Sequence, residues 1–175
     1  MDVRGSTTLA EGMRPTDFSQ LMNRFYAVAT DVMVKTDALI DKLVGDEVIG
    51  LYLPGWAGPN HARLAVKAAR DLLHATGHGT PHGPWLPVGV GVHTGIAFVG
   101  TVSGIEGTVT DLTALGDAVN IAARLASTAG PGEALISHAT YAAAGVDLGN
   151  LEQRQLELKG KSQPIGVHVL RALVG

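Results

Sequence analysis

Residues 39–53 read LIDKLVGDEVIGLYL. Two apolar runs rich in Val, Ile and Leu flank a tight centre, and the pattern predicts strand, turn, strand, with strands at 38–43 and 47–53. A plain hairpin more often turns on Asn-Gly or Asp-Gly. Here the order is Gly45-Asp46, with Lys42 four residues before the aspartate. A hairpin tip expected to be buried thus carries Asp41, Lys42, Asp46 and Glu47 around one glycine, which raises the question of what the charges are for.

Working outward, Pro15 and Thr16 open a helix that runs to about Lys35. Phe18, Leu21, Met22, Phe25, Val28 and Ala29 recur along it at helical spacing and predict a buried stripe. Residues 2–11 predict the end of a strand turning into a short helix, with Ser6, Thr7 or Thr8 as its cap. After the hairpin, Pro54, Gly55 and Gly58 break the pattern. A second long helix is predicted over 60–75, with Ala62, Ala65, Val66, Ala69, Leu72 and Leu73 as its core face. HATGHGTPHGP (74–84) predicts a loop. WLPVGVGVHTGIAFVGTV (85–102) predicts two strands meeting near residues 93–95, and 108–115 a further strand. A third helix over 116–129 is stopped by Gly130, Pro131 and Gly132. A short strand (133–136), a short helix (138–143) and two terminal strands (151–159 and 165–171) complete the reading. Neither an internal repeat nor a linker interrupts residues 1–175, so one domain is expected. Early alternation of strands and helices with a closing hairpin implies an α/β (α+β) sandwich, a central mixed sheet flanked by helices.

Composition narrows the function classes. The chain has 175 residues, 46% of them hydrophobic, enough for one real core. A formal net charge of −3 gives no basic footprint, so nucleic acid is not an expected partner. With no cysteine, disulfides, thiolate metal sites and thiol nucleophiles are excluded. No apolar run is long enough to span a membrane, and MDVRGSTT is too polar for a signal peptide, so a cytoplasmic location is expected.

The third helix, within TALGDAVNIAARLAST (113–128), places Asn120, Arg124 and Ser127 at i, i+4 and i+7. That stripe is either a solvated face or an amide and a guanidinium aimed at a phosphorylated ligand, which arginine suits through its planar fork. Asp46 is either a surface turn acid or a ligand for Mg²⁺, a hard ion that takes carboxylate oxygen and substrate phosphate. Asp2 lies in a tight strand-to-helix passage, where the turn at Gly5 and Ser6 offers backbone N–H groups to phosphate. Other signals are weaker. His74, His78 and His82 recur every four residues, but Gly77, Gly79 and Pro81 deny them a helix. Gly89, Gly91 and Gly95 do not fit a dinucleotide fingerprint and predict close packing instead. His93 is expected in the core or supporting a site, Asp117 at a helix N-terminus, and Trp56 and Trp85 as packing groups.

DVRGST, KLVGDEV, VGVHTGIAFVG, LGDAVNIAARL, PGEALIS and LKGKSQP follow one another as in class III nucleotidyl cyclase catalytic domains, and the chain resembles that family over nearly its whole length. The resemblance implies the ferredoxin-like cyclase fold and a homodimer with active sites shared between chains. It implies that Asp2, Asp46 and the backbone carbonyl of Val3 hold two divalent ions, Mg or Mn. It assigns purine reading to Lys42 and Thr113, ribose orientation to Asn120 and transition-state stabilisation to Arg124. Lys159 or Lys161 contacts the triphosphate, Lys159 being preferred. Each site would draw Asp2 and Asp46 from one chain and the other residues from the second copy. Lys42 can donate to adenine N1 and Thr113 can accept from the adenine amino group, so ATP is the expected substrate and 3′,5′-cyclic AMP and pyrophosphate the products. The alternative is a catalytically inactive cyclase homology domain that binds nucleotide or dimerises as a regulatory module. A diguanylate cyclase relative is disfavoured, since no GG(D/E)EF stretch occurs. One departure stands out. The family has a full strand before its first metal aspartate, whereas only Met1 precedes Asp2, so the first strand is expected to be truncated or missing and Asp2 to sit on a frayed end.

Overall fold

The computed structural model describes residues 1–103 and 110–172. In chain order the elements are β1 (Asp2–Val3), α1 (Ser6–Gly12), α2 (Pro15–Lys35), β2 (Leu39–Val44), β3 (Glu47–Leu51), α3 (Pro54–Ala57), α4 (His61–Ala75), β4 (Val88–Val92), β5 (Phe98–Ser103), β6 (Thr110–Leu115), α5 (Asp117–Thr128), β7 (Glu133–Ser137), α6 (His138–Ala144), β8 (Glu152–Leu156) and β9 (Ile165–Arg171). A seven-stranded sheet runs β2-β3-β1-β4-β7-β9-β8, and β5-β6 form a separate two-stranded ribbon. The sheet is mixed: β4 and β7 pair in parallel, and the other neighbours pair antiparallel.

Strand alternation sorts the core into two layers. On one face Val88, Val90, Ala134, Ile136 and Leu170 pack with Met22, Phe25, Ala29 and Met33 of α2 and with the apolar stripe of α4. On the other face Leu135, Val167 and Val169 pack with Ile121, Leu125 and Ala129 at α5, closed by Leu158. Glycines in β4 let α5 lie directly on the strand. A Cβ at Gly89 would stand 2.9 Å from that of Ala129, and one at Gly91 would stand 2.4 Å from the Ala122 carbonyl oxygen. The close-packing reading of these glycines holds.

Several expectations are corrected. Asp2 does not fray. β1 has only two residues, but it lies between β3 and β4 and pairs with both, and Met1 and Val3 are buried. Gly5, in the left-handed region at φ 69°, occupies the N-cap position of α1, and no hydroxyl caps the helix. The two strands of 85–102 part company at residues 93–97, β4 entering the main sheet and β5 the ribbon. α3 was not foreseen, and its Trp56 is 70% exposed rather than packed. Trp85 does pack, with the Arg24 guanidinium 4.0 Å from its ring centre and its indole N–H donating to the Ala75 carbonyl. The strand expected from 108 runs from Thr110, residues 108 and 109 lying outside the described residues. No described helix is long and apolar enough to cross a membrane.

Candidate active site

Backbone pairing brings Asp2 and Asp46 together. The β2–β3 turn closes on Gly45, at φ 59°, and the Val3 N–H donates to the Asp46 carbonyl at 3.0 Å. Both carboxylates are tied within the DVRGST segment: Arg4 Nη2 bonds and ion-pairs with Asp2, and the Ser6 hydroxyl donates to Asp46. Arg4 also reaches the end of α5, Nη1 donating to the Ser127 carbonyl at 2.6 Å. Sequence reading marks Ser6 only as a possible helix cap and for the N–H groups of its turn, and does not single out Arg4; membership of the DVRGST segment is the available signal for both. Glu47, in register with Asp2, has its carboxyl pushed up, first by burial, while the Met1 ammonium opposes the rise.

A second cluster forms at the start of α5. Asn120 and Arg124 lie one turn apart on its outer stripe. The Arg124 guanidinium rests against Gly160, 3.5 Å from where a Cβ would stand. On one side of that glycine Lys159 is exposed; on the other Lys161 pairs with Asp117, which holds the Asp117 carboxyl below its usual range. Asp117 therefore does more than favour a helix terminus. Asn120, Arg124 and the Lys159–Lys161 loop are thus one surface. Among the described residues, no hydrogen bond or ion pair joins Asn120, Arg124 or that loop to Asp2 or Asp46.

Lys42 and Thr113 sit on β2 and β6, which pack beside one another. Lys42 stands opposite Ile49, just after a register shift in β2. Thr113 is 3% exposed, and its hydroxyl oxygen is buried with no hydrogen-bond partner. Both carboxylate oxygens of Asp41, at the register shift, are buried and unpartnered as well. Such groups are rare, because an unpaired buried polar atom is costly. Sequence reading noted Asp41 only as a charge in the turn.

His93 is half-buried at the end of β4, its Nδ1 2.9 Å from the Ser137 hydroxyl, and burial holds its imidazole below the usual histidine range. His78 is buried, with Nε2 accepting from the Val88 N–H at 3.2 Å, a structural role. No cluster of three or more His, Asp or Glu side chains capable of holding a metal occurs among the described residues.

Known proteins resemble this chain in sequence and in fold. The model of the adenylate and guanylate cyclase catalytic domain fits residues 1–171. An adenylate cyclase of Anabaena cylindrica is 31% identical over 128 residues, covering 71% of this chain and 25% of that protein. This chain therefore spans about a quarter of that relative's length. Among solved structures, the adenylyl cyclase CyaB from P. aeruginosa is 29% identical, with a TM-score of 0.82 over 98% of this chain and 91% of that one. The guanylyl cyclase Cya2 is 26% identical, with a TM-score of 0.80 over 98% and 89%.

Proposed function

This chain belongs to the adenylate and guanylate cyclase catalytic domain family, and from that premise we propose that it is an adenylate cyclase, active as a homodimer. The reaction would join the ribose 3′-oxygen of ATP to its own α-phosphorus, break the bond from that phosphorus to the β-phosphate, and release pyrophosphate.

The observation that carries this reading is the division of the site residues into two clusters on one chain. Asp2 and Asp46 make an acidic pair on one; Asn120, Arg124 and Lys159 make a phosphate-binding surface on the other. A second copy could bring one cluster to the other. Exposed apolar side chains support that pairing: Phe98 and Leu115 stand opposite one another on the ribbon and are both exposed, and Ile96, two residues before Phe98, is 98% exposed. Apolar patches of this kind mark interfaces.

The acidic pair fits a hard divalent ion. Mg²⁺ is held by one or two carboxylates together with substrate phosphates rather than by an all-protein cage, and Asp2 and Asp46 would supply those two carboxylates. Asp2 and Asp46, with the Val3 carbonyl, would hold two Mg or Mn ions, whose chemistry when bound is to polarise the 3′-hydroxyl and neutralise phosphate charge. Arg124 would donate to the oxygens on which charge builds, Lys159 would bind the triphosphate, and Asn120 would orient the ribose. Lys42 would donate to adenine N1, and the unpartnered Thr113 hydroxyl would accept from the adenine amino group. Against GTP, Lys42 would face an N–H at ring position 1, a mismatch costly inside a pocket.

The test is cyclic AMP formation from ATP with Mn²⁺ and separately with Mg²⁺, over a range of protein concentrations, beside an Asp46→Ala control. The expected result is a specific rate that rises with protein concentration and vanishes in the control. Turnover of GTP but not ATP would overturn the substrate. Absence of both products would overturn catalysis and leave a nucleotide-binding or dimerising module.

A further inference from the structure

Between β8 and β9 the chain makes a tight turn that lies on the start of α5. The Lys161 N–H donates to the Leu158 carbonyl at 3.0 Å, and Gly160 stands at φ 77°. A positive φ at the third position is what a type II turn requires, and glycine adopts it without strain. The turn is fixed at both ends. Leu158 is buried and closes the core layer of Ile121, Leu125 and Ala129. Lys161 hydrogen-bonds and ion-pairs with Asp117, the first residue of α5. Lys159, between these two anchors, is left exposed.

The same turn supports Arg124. Among the described residues no hydrogen bond or ion pair holds its guanidinium. It rests instead on Gly160, with Nη1 3.5 Å and Nη2 3.6 Å from where a Cβ would stand. Glycine leaves that face flat, so the place of the guanidinium follows the backbone of the turn. Asp117 lies seven residues before Arg124, on the same face of α5. Its carboxylate feels the charges of Lys161, His93 and Arg124, and Lys161 is the cation bonded to it.

We propose that Asp117 and Lys161 are positioning residues, a latch that holds the turn against α5 and thereby sets the Arg124 guanidinium and the Lys159 ammonium towards one polyphosphate. The proposal deepens the reading as a cyclase and rests on it for the identity of the ligand. Lys161 acts through Asp117 and does not itself touch phosphate. Arginine and lysine side chains lose much rotamer freedom when ordered, so cations placed before the ligand arrives bind it at lower cost. Preorganised donors also meet developing charge without having to reorganise. Asp117 is 65% exposed. An ion pair so open to solvent adds little to global stability, and its effect is local to the turn and to Arg124.

The test compares Lys161→Met, Asp117→Asn and the double variant with the unaltered 175-residue chain, with Lys161→Arg as the conservative change. Without nucleotide, amide exchange at Lys161 and the NMR resonance of the Arg124 Nε–H report the latch. Exchange should speed up and the resonance should move in each single variant, with no further change in the double, while Tm stays nearly constant. With ATP, kcat should fall about tenfold or more, and KM should shift by less than about twofold. The double variant should lose no more than Lys161→Met alone, and Lys161→Arg should keep most of the rate. An unmoved Arg124 resonance in Lys161→Met would overturn the latch whether or not the chain makes cyclic nucleotide, so this failure is distinct from failure of the cyclase reading. A loss in Lys161→Met that falls on KM and multiplies with the loss in Asp117→Asn would mean that Lys161 binds the triphosphate directly, and would overturn the positioning role.

Discussion

The carbonyl oxygen of Ala122 lies 2.4 Å from the point where a Cβ on Gly91 would stand, and the Ala126 nitrogen lies 2.3 Å from it. Neither atom is the end of a flexible side chain, so Gly91→Ala must push α5 off β4. Overpacking of this kind costs about 1–3 kcal/mol or more. The helix that moves carries Asn120 and Arg124, and a displacement of about 1 Å at a catalytic group can cost 10²-fold in rate. Gly91→Ala should therefore lower Tm and also lower turnover at temperatures where it remains folded. Gly12→Ala, where a Cβ meets nothing within 4 Å, is the control and should leave both nearly unchanged. Melting curves paired with initial rates separate the two effects; a normal rate in folded Gly91→Ala would refute the link between the packing and the site.

Arg124 rests against Gly160 on a half-exposed stripe and carries little of the core. Its truncation should spare the fold. Arg124→Ala is expected to reduce the rate of cyclic nucleotide formation about 10²–10³-fold, the worth of one preorganised donor to developing charge, with an unchanged circular dichroism spectrum. Arg124→Lys should recover only part of the loss, because an ammonium cannot reproduce the fork geometry. Full activity in Arg124→Ala would remove this residue from the mechanism.

Lys42 and Thr113 should set the base preference. Lys42→Glu combined with Thr113→Cys replaces a donor to adenine N1 with an acceptor suited to guanine N–H groups. ATP turnover should fall at least tenfold, and the ratio of GTP to ATP use should rise, since buried donor and acceptor mismatches cost 1–3 kcal/mol. Competition assays with both nucleotides read this ratio directly. An unaltered ratio would mean that the base is read elsewhere, with the buried, unpartnered Asp41 carboxylate the next residue to change.

The long helices are legible in the sequence because each buries one continuous stripe: Met22, Phe25, Ala29 and Met33 on α2, and Ala62 to Leu73 on α4. The β2–β3 hairpin and β9 are legible because short apolar runs end at turn residues. Short elements are not. α3 is a single turn containing glycine, with no buried residue to set a period. The break after β4 is equally hidden, because it depends on which sheet each strand joins. At the site, motif order selects Asp2, Asp46, Asn120 and Arg124, and the fold gathers them into two clusters. The ties of Arg4 to Asp2 and of Ser6 to Asp46 depend on side-chain reach across the turn, which residue spacing does not encode.

Glu133 should give the fold its acid sensitivity. It is 9% exposed, accepts a bidentate pair of bonds from Arg154 at 2.8 and 2.9 Å, and also bonds Arg171 and the Gly130 N–H. The Arg154 bonds, ahead of the opposing effect of burial, hold its carboxyl down at about 2 against an ordinary value of 4.5. A carboxyl depressed in the folded state contributes stability that is fully present above its unfolded pKa. That stability is lost as pH falls through 4.5 towards 2. The shift corresponds to something on the order of 3 kcal/mol. Glu133→Gln should be destabilised by about that amount at pH 7, and its stability should vary less than wild type between pH 5 and 2, the two curves converging at the acid end. Denaturant midpoints measured across that range test this; parallel curves would mean that the acid sensitivity originates in other carboxylates.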